Sequence, residues 1–315
     1  MSAQTLKQPR YAIDFMKWRS VAVVASLALS IGAIGSLVAK GLNFAVDFTG
    51  GTVIEAGYHQ AADLNAIREE LVTAGFSSPM VQNFGTTRDV LIRLAPPKAG
   101  ENGMELRAKV IEALNKNPSD RPDVRRVEFV GPQVGDDLVE GSVIALLAST
   151  FFILIYVAWR FEYRFSLGAI LATLHDITMI LGFFSILQLD FDLTVFAAVL
   201  TIMGYSLNDT IVVFDRVREN FRKIRRADTL EVINLSINET LSRTLMTSFL
   251  TFLTAVAMAC WGGEVLRNFG LALVVGIFVG TYSSIYVATA LAYKLGISRA
   301  DLLVPEKEGA EEGRP

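Results

Sequence analysis

The chain has a single cysteine, Cys260, and only two histidines, His59 and His175, among its 315 residues. A lone cysteine excludes an internal disulfide and a cysteine-held metal cluster. The histidines lie too far apart in sequence for metal-ligand spacing, so neither a metal nor another cofactor is expected. There is no P-loop, no glycine-rich dinucleotide fingerprint and no nucleophile elbow. The chain reads as a non-enzyme without a nucleotide energy source of its own. Charge is scarce too: 19% of residues are charged, with a net charge of −3. That balance points to no partner, and nucleic acid is not expected.

What the chain does have is apolar sequence. It is 52% hydrophobic, with a mean hydropathy of +0.42. An ordinary soluble protein of this size is less apolar. Residues 1–19 are polar and carry Lys7, Arg10, Lys17 and Arg19. Residues 20–39 then run without a charge, and about 20 apolar residues span a bilayer core. A cleaved signal peptide is the rival reading, but its apolar region would be shorter and end in a small-residue cleavage site. Further spans are expected at 138–158, 165–187, 191–214, 241–261 and 268–292, six in all.

Residues 40–137 form the one sizeable hydrophilic block. Strand patterns at 52–58, 80–84, 90–94 and 124–130 alternate with helical spacing at 63–73 and 104–114. The order β-α-β-β-α-β predicts a ferredoxin-like α+β unit. Its charges read as solvated faces, which suits binding or docking better than catalysis.

The short loops orient the spans. Arg160 and Arg164, the six basic residues between Arg216 and Arg226, and Lys294, Arg299, Lys307 and Arg314 all fall on the side of the N-terminal tail. Both termini are therefore expected in the cytoplasm and the α+β domain outside. The segment 215–240 is expected to be a basic cytoplasmic loop. It reads either as an amphipathic helix lying on the lipid surface or as a docking site for a cytoplasmic partner.

An acid, Asp209, interrupts the apolar run in Gly204-Tyr-Ser-Leu-Asn-Asp-Thr-Ile-Val-Val-Phe-Asp-Arg216. A carboxylate in hydrocarbon is by default a functional-site hypothesis. At ~1.5 Å per residue it lies about 9 Å inside Asp215. Arg243 enters the next span at a comparable depth, with Thr247 one turn further on the same face. Asn208 adjoins the acid and Tyr205 lies one turn from it. Acid, base and hydroxyls at one depth are the parts of a proton relay; a static Asp209–Arg243 ion pair, or a snorkelling arginine, is the plainer alternative. His175 and Asp176, deeper in the third span, form a second polar site. It reads as a relay, since histidine titrates near neutral pH, or as an interhelical lock. The pair Gly276 and Gly280 makes a GxxxG, a pattern that usually means close helix packing.

Four ordered stretches resemble the SecD/SecF family. They are Asn43-Phe-Ala-Val-Asp-Phe-Thr-Gly-Gly-Thr52 after the first span, Val127-Glu-Phe-Val-Gly-Pro-Gln-Val-Gly135 before the second, the stretch from Gly204 to Asn220, and Ser236-Ile-Asn-Glu-Thr-Leu-Ser-Arg-Thr-Leu-Met-Thr247. The resemblance covers roughly residues 14–295. Its first motif includes Asp47, Gly50 and Gly51. Ala45 departs from it where glycine is usual, and Asp136-Asp137 stand where glutamate is often seen. The single modest external domain fits the SecF branch better than the SecD branch.

The resemblance implies an RND-like half-unit in the bacterial inner membrane. It implies pairing with SecD, work on the SecYEG channel with YajC nearby, and unfolded preprotein as cargo amid membrane lipid. Proton flow would draw the polypeptide outward. The residues matching Asp209 and Arg243 would belong to the proton path, with the match to Thr247 close by. A small-molecule or lipid exporter half-unit, and a purely structural partner of SecD, are the alternatives.

Overall fold

A computed structural model describes residues 13–76, 79–95, 103–115, 121–224 and 227–297. Six helices are long and apolar enough to cross a membrane. The chain divides into two compact units.

One unit comprises Asn43–Leu147 and Leu189–Phe196. It opens with β1 (Asn43–Phe44) and the one-turn helix α2 (Val46–Thr49). A turn at Gly50 and Gly51, with φ of 65° and 128°, leads into β2 (Gly51–Gly57). Only glycine enters that backbone region without strain. Helix α3 (Leu64–Thr73), strands β3 (Met80–Phe84) and β4 (Thr86–Leu94), helix α4 (Gly103–Leu114) and β5 (Asp123–Val130) follow. The sheet order is β3-β4-β2-β5 with every neighbouring pair antiparallel. This is a split β-α-β arrangement, in which β4 inserts between β2 and β3.

The elements form for local reasons. Asp63 caps α3 by accepting from the N–H of Asn65 at 2.9 Å and of Ala66 at 3.2 Å, satisfying donors the first turn leaves orphaned. Leu71, Ile92, Val110 and Leu114 are buried between the helices and the sheet. Each such side chain contributes roughly 1.5–3 kcal/mol. A second, two-stranded sheet pairs β1 in parallel with β6 (Asp190–Phe191). No periodicity announces strands this short.

The other unit is helical. It holds α1 (Arg19–Lys40), α6 (Tyr163–Leu187), α8 (Thr229–Trp261), α9 (Gly263–Tyr282) and α10 (Thr289–Lys294). It also holds most of α7 (Leu193–Lys223) and the second half of α5 (Pro132–Arg160). A π-helical turn, Ser283–Ala288, joins α9 to α10. The long apolar helices extend beyond the bounds expected for the spans, as in Leu193–Lys223 and Thr229–Trp261. Phe161, Phe165 and Phe214 pack in its core, with the last two ring centroids 5.0 Å apart.

The helices meet through small residues. A Cβ on Gly182 would fall 2.3 Å from Ala33 Cβ, so α1 and α6 touch closely. A Cβ on Gly276 would fall 2.5 Å from Ile202, and one on Gly280 would fall 3.0 Å from Ser206. The GxxxG thus lets α9 lie against α7.

One expectation is corrected. Segment 215–240 is not a loop. Helix α7 runs on to Lys223 and α8 begins at Thr229, because the segment has neither proline nor glycine. Val217, Phe221, Val232, Ile233 and Ile237 are buried along the hairpin. Arg216 Nε donates to Glu239 Oε2 at 2.6 Å, and Asn220 Nδ2 donates to the same oxygen at 2.7 Å. The basic residues Arg225 and Arg226 lie outside the described residues, as do Arg299, Lys307 and Arg314.

Candidate functional site

Asp209 sits on α7 and is 4% exposed. Among the described residues one side-chain hydroxyl reaches it: Ser248 Oγ of α8 donates to Oδ2 at 3.4 Å. Ser248 in turn accepts from Thr281 Oγ1 of α9 at 2.8 Å and from Tyr205 Oη at 3.4 Å. Three helices therefore bring a chain of hydroxyls to a single carboxylate. Ser248 faces α7 because Ser236, Thr240, Thr244 and Ser248 recur every four residues on α8, and all four are buried. Residues at that spacing share a face.

The expected ion pair between Asp209 and Arg243 is not formed. Arg243 lies on the exposed side of α8, near enough for its charge to be felt at Asp209. Among the described residues no carboxylate pairs with it. Thr247 is exposed beside it, and its Oγ1 bonds its own helix at Arg243 O (3.1 Å) and Thr244 O (3.0 Å). Arg243 and Thr247 do share a face, as their spacing requires, but it is not the face of Ser248. Asn208 is exposed on α7. An open groove of about 480 Å³ runs beside Arg243, lined also by Asp215, Arg216, Glu219 and Glu239.

The second site is more fully knit. Asp176, 1% exposed, is bonded through Oδ1 to His175 Nδ1 at 2.9 Å. Ser206 Oγ of α7 donates a short hydrogen bond to its Oδ2. Ser206 precedes Asp209 by three residues on the same helix, so the residue that Asp176 engages and Asp209 itself lie on one side of α7. His175 Nε2 is buried and has no hydrogen-bond partner among the described residues.

Ser206, Ser248 and Thr281 were missed from sequence; only the i, i+4 run of small polar residues on α8 hinted at one of them. Asp47, Gly50 and Gly51 belong to the other unit. There Asp47 Oδ2 accepts from Leu193 N, the first residue of α7, at 3.0 Å, while Gly50 and Gly51 form the turn into β2. Among the described residues no group of three or more His, Cys, Asp or Glu is placed to hold a metal ion.

Fold and site together define a multi-pass membrane protein whose helix bundle encloses two carboxylates. Residues 110–298 match the family described as protein export membrane protein SecD/SecF, C-terminal, and residues 35–62 match the SecD/SecF GG motif. The protein translocase subunit SecF of Vibrio alginolyticus is 49% identical over 310 residues, covering 98% of each chain. That of Escherichia coli O157:H7 is 43% identical over 313 residues, covering 99% of this chain and 97% of the relative. The crystal structure of SecDF from Thermus thermophilus, a translocon-associated membrane protein, superposes with a TM-score of 0.82 at 39% identity. It matches 93% of this chain, which spans 39% of that longer one. The chain belongs to the SecD/SecF family of protein-export membrane proteins.

Proposed function

We propose that this chain is a SecF-like subunit of protein export that couples proton entry at Asp209 to outward movement of unfolded polypeptide. The SecF relatives matched over nearly their whole length support the export role and work with SecD and the Sec machinery. The proton reading rests on one observation: Asp209 is buried in an apolar bundle and, among the described residues, has a single 3.4 Å hydroxyl contact and no ion pair. A carboxylate so weakly held can take up a proton at little structural cost, and the ionised form is costly there. Asp176 differs, because both its oxygens are engaged; it serves as the lock between α6 and α7.

Arg243 acts as the counter-charge that approaches when the acid is ionised, with Thr247 beside it on the same exposed face of α8. One charge falling through 100 mV yields ~2.3 kcal/mol, so a few protons suffice to bias a polymer's diffusion. The basic segments support a topology with both termini in the cytoplasm and the α+β unit outside the bacterial inner membrane. The channel SecYEG, YajC, the cargo and lipid are the surroundings this reading requires.

The test is export in sealed inverted vesicles. Asp209→Asn should assemble normally and lose proton-dependent export while nucleotide-driven translocation persists. Full proton-driven export by that variant would end the proposal. An exporter of small molecules would instead show normal protein secretion and drug or lipid accumulation when the chain is deleted.

A further inference from the structure

The stretch Asn43–Gly51 is built around the first turn of α7. Its β1 pairs in parallel with β6, and Ala45 N donates to Phe191 O at 3.0 Å. Asn43 Nδ2 donates to Asp190 Oδ1 at 2.8 Å. Asp47 Oδ2 accepts from Leu193 N at 3.0 Å, satisfying a donor that a helix start leaves free and placing negative charge at the positive end of its dipole. Arg93, in the sheet strand β4, forms an ion pair with Asp190 Oδ2, and both side chains are mostly buried. The rings of Phe44, Phe48 and Phe191 pack together at centroid distances of 5.7–6.1 Å. The motif's glycines are also spent here: a Cβ on Gly135 of α5 would lie 3.1 Å from Gly50 N, so α5 packs directly on the turn.

Helix α7 begins at the residue Asp47 holds and stays helical through Gly204 to Asp209, sixteen residues on. That is about 24 Å of continuous helix. A slip of one residue at its start turns Asp209 by about 100° and moves it about 1.5 Å along the axis. Among the described residues Asp209 meets one side-chain hydroxyl, that of Ser248, so its surroundings depend on that register.

We propose that Asp47, Arg93 and Asp190 are positioning residues, a clamp by which the sheet domain sets the register of α7 and hence the environment of Asp209. The clamp rests on the proton reading for its consequence in export, but not for its effect on the carboxyl. Asp192 caps the helix by accepting from Val195 N at 2.8 Å, Asp47 takes the neighbouring Leu193 N–H, and Arg93 ties β6, the strand just before them, to the sheet. A displacement of the sheet pulls on β6 and is delivered to the helix start.

The test uses the full chain assembled with its partners in membranes. Labelling of Asp209 by N,N′-dicyclohexylcarbodiimide, read at that residue by mass spectrometry, is followed against pH beside proton-dependent export. Asp47→Ala and Arg93→Ala should each shift the pH of half-labelling by about half a unit or more. Each should lower proton-dependent export about fivefold, the scale of one lost buried hydrogen bond. Asp47→Asn, which retains an acceptor for Leu193 N–H, should stay near wild type. Labelling curves that superimpose on wild type in assembled Asp47→Ala and Arg93→Ala overturn the clamp. Should the single variants fail to assemble, the swap Arg93→Asp with Asp190→Arg decides: recovery of the wild-type curve supports the clamp, and no recovery overturns it. A labelling shift combined with undiminished export in Asp209→Asn would sink the proton reading and leave the clamp standing.

Discussion

Ser248 and Thr247 are neighbours on one helix with opposite fates. Ser248 is buried and donates to Asp209; Thr247 is exposed and bonds its own backbone. Ser248→Ala leaves a buried carboxylate oxygen without its hydroxyl, a loss worth roughly 1–3 kcal/mol. It should change carbodiimide labelling of Asp209 about tenfold or more, while Thr247→Ala in the isolated chain leaves labelling unchanged. Asp190 offers a pH test outside the bundle. Its burial raises the carboxyl above the ordinary 3.8; Arg93 opposes the shift and Asp192 adds to it. A raised folded value means the folded state binds the proton more tightly. Stability from this group is therefore complete below 3.8 and is lost as pH rises through the folded value. Hydrogen-exchange protection at Phe44 and Phe191, corrected for intrinsic rates, should fall across that window. Asp190→Asn should flatten the dependence.

At the scale of elements, close approach is written in glycine. Gly276→Leu drives a side chain into Ile202 and should cost about 1–3 kcal/mol by overpacking, seen as a lower melting temperature of the purified protein. Gly35→Ala has nothing within 4 Å to meet and should be tolerated. The hairpin of α7 and α8 makes the same point with polar groups. Glu239 accepts from both Arg216 and Asn220, so Glu239→Ala should loosen the two helix ends together. Proteolysis between Lys223 and Thr229 would report it.

At the scale of the whole molecule, the long helices present apolar surface. Large apolar side chains stand exposed along α1, α5 and α8, among them Val24, Phe152 and Phe249. In a bilayer these surfaces meet lipid or a partner subunit. The single cysteine tests the orientation. Cys260 is exposed at the end of α8, far along the helix from the basic hairpin. An impermeant maleimide should label it in intact spheroplasts without permeabilisation; labelling only after lysis would invert the topology.

The chain's order alone determined the six spans, the β-α-β-β-α-β succession and the candidate acids, because each rests on local composition and periodicity. Charge-free runs near 20 residues, strands of alternating apolarity and an acid within a span are visible one residue at a time. Position 209 was legible for that reason. Its partner was not. Spacing could bring Arg243 to the right depth, but which face of α8 turns toward α7 depends on packing among three helices. The structure chose the face of Ser236, Thr240, Thr244 and Ser248, since small residues permit closer approach than arginine. Two-residue strands are likewise invisible beforehand, because they carry no period. The pairing of β1 with β6, and with it the contact of Asp47 to the start of α7, joins residues nearly 150 positions apart. Only the folded chain, which brings those distant groups within hydrogen-bonding distance, could decide it.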